Sequence, residues 1–147
     1  MTHNQVTAAI IDTALRIHRA LGPGLLESVY LHVLTHELRK RGLRVDTEVP
    51  IPVIWEEVKL EVGFRADLIV EGIVVVELKS VEAVAPVHKK ILLTYLRLTD
   101  KRVGLLINFG VELLKHGIHR VVNDYREEEA HAEAQSTQSL RDLSASA

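Results

Sequence analysis

The sequence predicts an α/β sandwich, a fold in which helices pack against a central β-sheet. Apolar residues recur at the spacing of amphipathic helices over residues 6–41 and 86–99, and they form short β-like runs over residues 45–79 and 102–108. The resulting order of helix, helix, strand, strand, strand, helix and strand allows an antiparallel meander followed by a helical crossover. With 147 residues, of which 47% are hydrophobic and 26% charged, the chain is expected to form one globular domain with a sizeable core.

Two amphipathic helices are predicted at the start of the chain. The first carries an apolar stripe formed by Val6, Ile10, Ala14, Ile17 and Leu21. The sequence GPG at residues 22–24 then breaks the helix. A second apolar stripe follows at Leu26, Val29, Tyr30, Val33, Leu34 and Leu38. The second helix is expected to end near Arg41 and Gly42, because glycine favours a left-handed C-terminal cap and basic side chains suit the negative end of the helix dipole.

The apolar period changes from helical spacing to two at Val45. From there to Val53, apolar and β-branched residues alternate with Asp46, Glu48, Pro50 and Pro52. Two prolines on one alternating run predict an edge strand, because proline cannot donate a ladder hydrogen bond. The polar stretch from Glu56 to Glu61 is then expected to turn the chain toward the next strand.

Further strands and one more helix are predicted beyond this turn. The apolar run IVVV at residues 73–76 is typical of a central strand that is covered on both faces. Pro86 is well suited to open a helix, since the N–H that it lacks has no helical partner at that position. The predicted elements are strands over 64–70 and 73–79, a helix from 86 to about 99, a strand over 102–108 and a short last strand over 117–122.

The charge distribution separates a mildly basic domain from an acidic tail. From Asp124 onward the chain has six acidic residues and two arginines, so the preceding part carries about +2 although the whole chain is −2 at pH 7. Residues 130–147 show no sustained apolar period. The sequence therefore predicts a single domain over residues 1–123 and an acidic C-terminal tail over residues 124–147 that is disordered or weakly helical.

Cysteine content and hydropathy exclude several classes of function. The absence of cysteine excludes a disulfide framework, a thiolate zinc site and a thiol nucleophile. The N-terminal apolar residues are not expected to form a signal peptide, because they are interrupted by Asp12, Arg16, His18 and Arg19. No run approaches the roughly 20 apolar residues of a membrane span. We therefore expect a cytoplasmic protein without membrane association.

The most informative feature of the sequence is the spacing of Asp67, Glu77 and Lys79 across two neighbouring predicted strands. Two carboxylates supply the hard oxygen ligands that Mg²⁺ prefers. A lysine on the same strand face as the second carboxylate can lie against the negative charge that develops during phosphodiester cleavage. These three residues are the candidate catalytic residues, and nucleic-acid cleavage is the leading hypothesis.

The turn between the two strands decides whether these carboxylates meet. A two-residue turn at Glu71 and Gly72 would pair Asp67 with Val76 and place the two carboxylates on opposite faces of the sheet. We therefore predict an odd-length loop around Gly72, or a β-bulge, that brings Asp67 beside Glu77.

Several ordered blocks of the sequence carry a resemblance to a known family. The motif GxxExxY is present as Gly24, Glu27 and Tyr30, within HRALGPGLLESVY at residues 18–30. The later blocks are FRADLIV at 64–70, VVELKSVE at 75–82, LLTYLRLT at 92–99 and GLLINFG at 104–110. Over roughly residues 5–123 the chain resembles the GxxExxY family of the PD-(D/E)xK nuclease superfamily.

The resemblance implies a restriction-endonuclease-like α/β sandwich, the PD-(D/E)xK fold, with a mixed central sheet flanked by helices. It implies that Asp67 and Glu77 bind Mg²⁺ or Mn²⁺, that Lys79 positions water and stabilises charge, and that Glu27 is an additional, helix-borne metal ligand. One position departs from the pattern. Related sequences usually carry glutamine four residues before the tyrosine of the third helix, whereas this chain has Ile91 before Tyr95.

The third predicted helix is the candidate nucleic-acid-binding surface. The residues placed there as contacts with nucleic acid are His88, Lys89, Lys90 and Tyr95. Solvated helix ends are the commoner explanation of such basic clusters, and Tyr30 and Tyr95 also fit core packing with a hydrogen-bonded hydroxyl. His32 and His36 have the i, i+4 spacing of zinc ligands, but no third ligand is evident, so exposed helix histidines are the better interpretation.

Three hypotheses about function are open at this point. The first is a metal-dependent nuclease that hydrolyses phosphodiester bonds, with DNA or RNA as its partner. The second is a catalytically impaired nuclease-fold module that binds nucleic acid or a protein partner, since the glutamine replaced by Ile91 normally supports the site. The third is a component of a larger assembly that docks through residues 45–53. The sequence also leaves open a homo-oligomer, the strandedness of the substrate, and endo- or exonuclease action.

Overall fold

The computed structural model describes residues 1–60 and 63–124 of the chain. Its elements, in chain order, are helices α1 (His3–Leu21) and α2 (Glu27–Lys40), strands β1 (Val45–Pro50), β2 (Val53–Trp55), β3 (Val58–Leu60), β4 (Arg65–Val70) and β5 (Val74–Lys79), helix α3 (Pro86–Leu98), strand β6 (Val103–Asn108), a 3₁₀ turn (Leu114–His116) and strand β7 (Ile118–Val122). The tail predicted over residues 124–147 lies outside the described residues, apart from Asp124.

The strands form a five-stranded sheet in the order β1-β4-β5-β6-β7 and a separate two-stranded sheet of β2 and β3. In the large sheet β5 and β6 run parallel, whereas the other neighbouring strands are antiparallel. The parallel pair is joined by a crossover that contains α3, as parallel strands require. This arrangement confirms the predicted α/β fold with a mixed central sheet flanked by helices.

Helices cover both faces of the large sheet. On one face, α1 and α2 pack against Val76 and Leu105 in a buried apolar cluster. On the other face, α3 packs against Val75 and Leu106. Neighbouring residues of β5 and β6 therefore face opposite layers, as expected for strands buried on both sides.

The first two helices end where the sequence predicts, α1 at Leu21 before the GPG sequence and α2 next to Arg41. α1 begins after Thr2, whose Oγ1 accepts a hydrogen bond from the Gln5 N–H at 3.1 Å. α2 ends at Lys40, and the following Gly42 has a φ of 88° while its N–H donates to the Arg39 carbonyl at 2.9 Å. Glycine suits this position because other residues rarely adopt so positive a φ.

The later elements also agree with the prediction. The strands β4, β5, β6 and β7 and the helix α3 each begin and end within one residue of the predicted bounds. Within the described part of the chain, none of the helices has the length and apolar character that crossing a bilayer requires.

The segment between β1 and β4 differs from the prediction. The predicted edge strand over 45–53 ends at Pro50, although β1 does lie at the edge of the sheet. The predicted polar turn over 56–61 is instead a hairpin, in which Trp55 pairs with Val58 across a two-residue turn. β-Branched and aromatic residues favour extended structure, so the turn contracts to the two glutamates between the strands.

The alternation predicted from Val45 onward is wrong at Glu48. This residue has a φ of 48°, which turns the backbone over within the strand. As a result Val45 packs in the layer of α1 and α2, whereas Val49 packs in the layer of α3. For the same reason Glu48 and Asp67, whose neighbours pair on both sides, are not themselves paired in the β1–β4 ladder.

Candidate functional site

The turn between β4 and β5 brings the two predicted carboxylates together. Val70 pairs with Val74, so the loop has three residues, namely Glu71, Gly72 and Ile73. The first two have φ values of 55° and 68°, and the N–H of the third donates to the Val70 carbonyl at 3.1 Å. Three loop residues set a register in which Asp67 lies opposite Glu77. The predicted odd-length loop is therefore confirmed.

The carboxylates of Asp67 and Glu77 take the place of backbone partners between the two strands. The β4–β5 ladder ends at the pair of Leu68 and Val76. Beyond it, the Asp67 N–H donates to Glu77 Oε1 at 3.0 Å, and the Leu78 N–H donates to Asp67 Oδ2 at 2.7 Å. Each carboxylate is thus oriented by one backbone donor, and the two lie side by side at the end of the ladder.

Burial and mutual repulsion raise the pKa of both carboxyl groups. Burial is the main cause for Glu77 and the charge of Asp67 the next, and together they raise the pKa of Glu77 to about 8. Burial also raises the pKa of Asp67, although the hydrogen bond from the Leu78 N–H opposes the shift. Among the described residues, no basic side chain forms a salt bridge with either carboxylate. Glu77 is therefore mainly protonated at neutral pH without a cation, and a bound cation would stabilise the ionised form of the pair.

Three further charged residues act on this pair. Besides burial, the Glu27 carboxylate raises the pKa of both Asp67 and Glu77, and the Lys79 ammonium lowers the pKa of both. Lys79 is the last residue of β5, and Glu27 is the exposed first residue of α2. Glu48, exposed on β1, adds a further negative charge that raises the pKa of Asp67. The structure thus gathers the four predicted site residues at one end of the sheet and adds Glu48, which the sequence did not single out.

The residues of the GxxExxY motif shape the loop before α2. Gly24 has a φ of 100°, which glycine adopts without steric cost. The Tyr30 hydroxyl donates to the Gly22 carbonyl at 2.5 Å, and its ring is fully buried. From the other side, Ser80 Oγ donates to a carbonyl of the same loop at 2.6 Å. Gly24 and Tyr30 therefore fix the loop, and the loop positions Glu27 at the start of α2.

The donor chemistry of the site suits a hard divalent cation. Mg²⁺ is commonly held by one or two carboxylates and keeps several water ligands, which matches a pair such as Asp67 and Glu77. Within residues 1–60 and 63–124, no group of three or more His, Asp or Glu side chains is arranged to hold a metal ion. Glu27 is accordingly near the pair without forming a preformed three-carboxylate cage.

Sequence reasoning missed the residues that hold the segment after Lys79. Asn108 pairs with Lys79 in the ladder between β5 and β6. Its buried side chain accepts a hydrogen bond from the Val81 N–H at 3.0 Å and donates one to the Val81 carbonyl at 2.9 Å. Gly110 leaves no room for a side chain, since a Cβ would lie 2.3 Å from the Val81 carbonyl oxygen. The available signal was a polar residue and a glycine directly after a buried apolar run.

The start of α3 presents the predicted basic residues. Lys89 and Lys90 are exposed to solvent. Nδ1 of His88 accepts a hydrogen bond from the Ala85 N–H at 3.1 Å, so this imidazole caps the helix and retains Nε2 for another partner. Ile91, one residue further along, is 36% exposed.

Tyr95 belongs to the core of the α3 layer. Its ring packs edge-on against Phe64, with ring centroids 5.9 Å apart. Burial raises the pKa of the Tyr95 hydroxyl, and the charges of Glu77 and Asp67 raise it further. The hydroxyl thus lies near the carboxylate pair, while the ring supports the sheet.

A family model described as the PD-(D/E)XK nuclease superfamily matches residues 4–121 of the chain. The matched span runs from α1 into β7 and contains Asp67, Glu77 and Lys79. Comparison with curated proteins and with solved structures gave no significant match. Since the family match covers well over half of the sequence, the chain belongs to the PD-(D/E)XK nuclease superfamily.

Proposed function

We propose that this protein is a metal-dependent nuclease that hydrolyses phosphodiester bonds of nucleic acid. The observation that supports this most strongly is the pair of Asp67 and Glu77, fixed between two strands with Lys79 beside it. In a chain of a nuclease superfamily, a buried and a half-buried carboxyl group, both with raised pKa values, favour a metal site over a structural ion pair. Assignment to the GxxExxY family is part of the proposal and is supported by the motif Gly24, Glu27 and Tyr30.

Asp67 and Glu77 would hold the metal ion, with Glu27 as the additional acid from α2. Bound Mg²⁺ or Mn²⁺ supplies a Lewis acid for the phosphoryl oxygens and lowers the pKa of a bound water. The N–H groups of Asp67 and Leu78 each engage one carboxylate oxygen and thereby fix the orientation of the pair. This orientation by the backbone reduces the rearrangement that binding requires.

Lys79 contributes the positive charge beside the carboxylates. Burial raises the pKa of Glu77, and the positive charge of Lys79 opposes that shift. The Lys79 ammonium therefore interacts electrostatically with the carboxylate pair. An ammonium in this position stabilises the negative charge that develops on a phosphate in the transition state and can hold the attacking water. We therefore assign Lys79 an electrostatic and water-positioning role.

Nucleic acid is proposed to approach along the start of α3. Lys89 and Lys90 are exposed and can contact phosphates, and Nε2 of His88 can join them. Arg65 is exposed two residues before Asp67 and adds positive charge at the same end of the sheet. Such contacts bind the backbone of nucleic acid without reading its sequence.

The second candidate function is a module that keeps the fold and binds nucleic acid or a protein partner without cleavage. Ile91 favours this alternative, because it stands where related sequences usually carry glutamine. An isoleucine side chain neither donates nor accepts a hydrogen bond, so any polar support from that position is lost. Restoring the polar group with Ile91→Gln therefore tests the alternative directly.

The deciding experiment is cleavage of labelled single- and double-stranded DNA and RNA by the full chain with Mg²⁺, Mn²⁺ or EDTA. The variants are Asp67→Ala and Lys79→Ala, with Lys115→Ala as the control because Lys115 is an exposed lysine of the 3₁₀ turn. We expect metal-dependent cleavage that falls by about 10²-fold or more in both site variants and is unchanged in the control. If a folded wild-type chain cleaves nothing and Ile91→Gln gains activity, the binding-module function is the correct one.

A further inference from the structure

The β2–β3 hairpin, residues 53–60, presents apolar side chains to solvent. Its two strands form a sheet of their own, separate from the five-stranded sheet. The strand pairing places on one face of the hairpin the side chains of Val53, Trp55, Val58 and Leu60. Trp55 is 69% exposed, and Ile54 on the opposite face is 68% exposed. An exposed tryptophan on an apolar strand face is a surface that a ligand can cover.

The hairpin begins at the end of the sheet that carries the carboxylates. The pairing of β1 with β4 continues to Ile51, whose N–H donates to the Phe64 carbonyl at 2.9 Å. Phe64 is three residues before Asp67, and Trp55 is four residues after Ile51. At about 3.3 Å per extended residue, the backbones of Trp55 and Asp67 therefore lie within roughly 30 Å of each other. A short nucleic-acid strand can reach both.

Aromatic residues continue from the hairpin toward the site. Phe64, at the base of the hairpin, is 38% exposed and packs edge-on against Tyr95. The Tyr95 hydroxyl in turn lies near the charges of Glu77 and Asp67. Base stacking on aromatic side chains is the usual way in which proteins hold unpaired nucleotides. The placement of Trp55 and Phe64 fits such contacts on one side of the carboxylate pair.

The negative charges of the hairpin turn indicate that the hairpin binds bases and not phosphates. Its turn carries Glu56 and Glu57, which repel phosphates. The lysine of the hairpin, Lys59, lies on the opposite face with Ile54, and further positive charges that suit phosphates lie at Arg65 and at the start of α3. A duplex keeps its bases stacked inside and would bring its phosphates against the two glutamates. An unpaired strand can turn its bases toward the hairpin while its phosphates follow the basic residues.

We propose that the apolar face of the β2–β3 hairpin binds unpaired nucleobases by stacking on Trp55. The substrate that reaches Asp67 and Glu77 is then a single-stranded segment of DNA or RNA. This inference rests on the proposed nuclease function and narrows its substrate class, and Trp55 is assigned the role of a specificity-determining residue.

The test uses the full chain carrying Glu77→Gln, so that binding is measured without cleavage. Trp55 is the only tryptophan of the chain, so the tryptophan fluorescence reports on this position alone. We expect a single-stranded oligonucleotide to quench this fluorescence and a duplex of the same length to leave it nearly unchanged. Fluorescence anisotropy of a labelled single strand should show that Trp55→Ala weakens binding about tenfold or more, which is the effect of losing one stacked base. The matched control is Ile54→Ala, equally exposed on the opposite face, which should bind as before.

Two results would overturn the inference while leaving the proposed function intact. One is binding of the single strand with no change in Trp55 fluorescence. The other is wild-type cleavage that is equally fast on duplex and single strand and insensitive to Trp55→Ala. A concentration-dependent change in fluorescence without nucleic acid, matched by dimers in sedimentation velocity, would instead assign the hairpin to contacts between copies of the chain. Absence of cleavage by the folded wild-type chain would reject the nuclease function and the single-stranded substrate, whereas stacking on Trp55 would still be decided by the fluorescence measurement.

Discussion

Glu77 is only 9% exposed, and its carboxylate faces that of Asp67 across the end of the β4–β5 ladder. Ionising both groups places two like charges in a site with little water, which opposes folding. The backbone N–H groups of Asp67 and Leu78 and the charge of Lys79 offset part of this cost. A protein that needed the pair only for stability would gain from a neutral residue at either position. The pair therefore supports the proposed cation site.

The first prediction concerns the stability of the protein in EDTA. The pKa of Glu77 is raised from its ordinary 4.5 to about 8, so the folded state binds more protons than the unfolded state between these values. The free energy of unfolding should therefore fall as the pH rises from about 4.5 to about 8 and level off above. Glu77→Gln should make this slope smaller, leaving the part due to Asp67. Denaturant melts across this pH range measure it, with Glu57→Gln as an exposed control, and equal slopes in wild type and Glu77→Gln would contradict it.

The second prediction concerns the metal ion and needs no activity. Mg²⁺ that binds the folded chain raises its stability by about 2.7 kcal/mol at a concentration 100 times the Kd. This gain should be present at pH 8 and decline toward pH 5, because protonated carboxyl groups do not bind the ion. Asp67→Asn should remove the gain. Thermal melts with Mg²⁺ or EDTA provide the measurement, and an equal rise in melting temperature in Asp67→Asn would place the ion elsewhere on the protein.

Single residues differ in how far the sequence could identify them. That Asp67 lies opposite Glu77 could be predicted because strand parity and one turn determine whether the two meet. Glu48 could not be found, because its positive φ and its approach to Asp67 depend on the pairing of two strands. The same holds for Asn108, whose role depends on a loop that is distant in sequence.

Among the helices, strands and loops, the most exact prediction was the three-residue loop between β4 and β5. A chemical requirement, two carboxylates on one face, restricted the loop to an odd number of residues, and the structure has three. The hairpin over residues 53–60 was missed because three glutamates and a lysine made the stretch from Glu56 to Glu61 read as a polar turn. Strand propensity of the few apolar residues prevailed over that polar composition. Boundaries were predictable where apolar periodicity was long and uninterrupted.

The third prediction tests how the loop before α2 controls the site. Gly24 and Gly42 have φ values of 100° and 88°, and neither has an atom within 4 Å of where a Cβ would be placed. Substitution by alanine therefore costs backbone strain alone, about 1–3 kcal/mol in each case. Both variants should lose similar stability in denaturant melts, but only Gly24→Ala should lower the rate of cleavage, because its loop positions Glu27. Equal cleavage rates in the two variants at a temperature where both are folded would show that the position of Glu27 does not matter.

Charge is distributed unevenly between the domain and the residues that follow it. The described fold has one central sheet with both faces covered, and the family match ends at residue 121. We propose that residues 1–123 form a single nuclease domain. The residues after Asp124 include five acids and two arginines, so their removal changes the formal net charge from −2 to +1.

The last prediction follows from this change in charge. A chain ending at Asp124 and carrying Glu77→Gln should keep the melting temperature of the full-length Glu77→Gln protein, since the described residues already form two core clusters within residues 1–123. It should bind a labelled single strand more tightly at low salt, because fewer negative charges oppose the phosphates, and the difference should shrink as salt screens them. Fluorescence anisotropy at about 50 and 200 mM salt measures both effects.

A full-length control separates charge from chain length in this experiment. Replacing Glu127, Glu128 and Glu129 by glutamine in the Glu77→Gln background also removes three negative charges and gives the same change in net charge as the truncation. If net charge is the cause, this variant and the truncated chain gain the same affinity. A gain in the truncated chain alone would mean that the segment itself, and not its charge, limits access to the site. A lower melting temperature after truncation would show that the folded domain extends beyond residue 123.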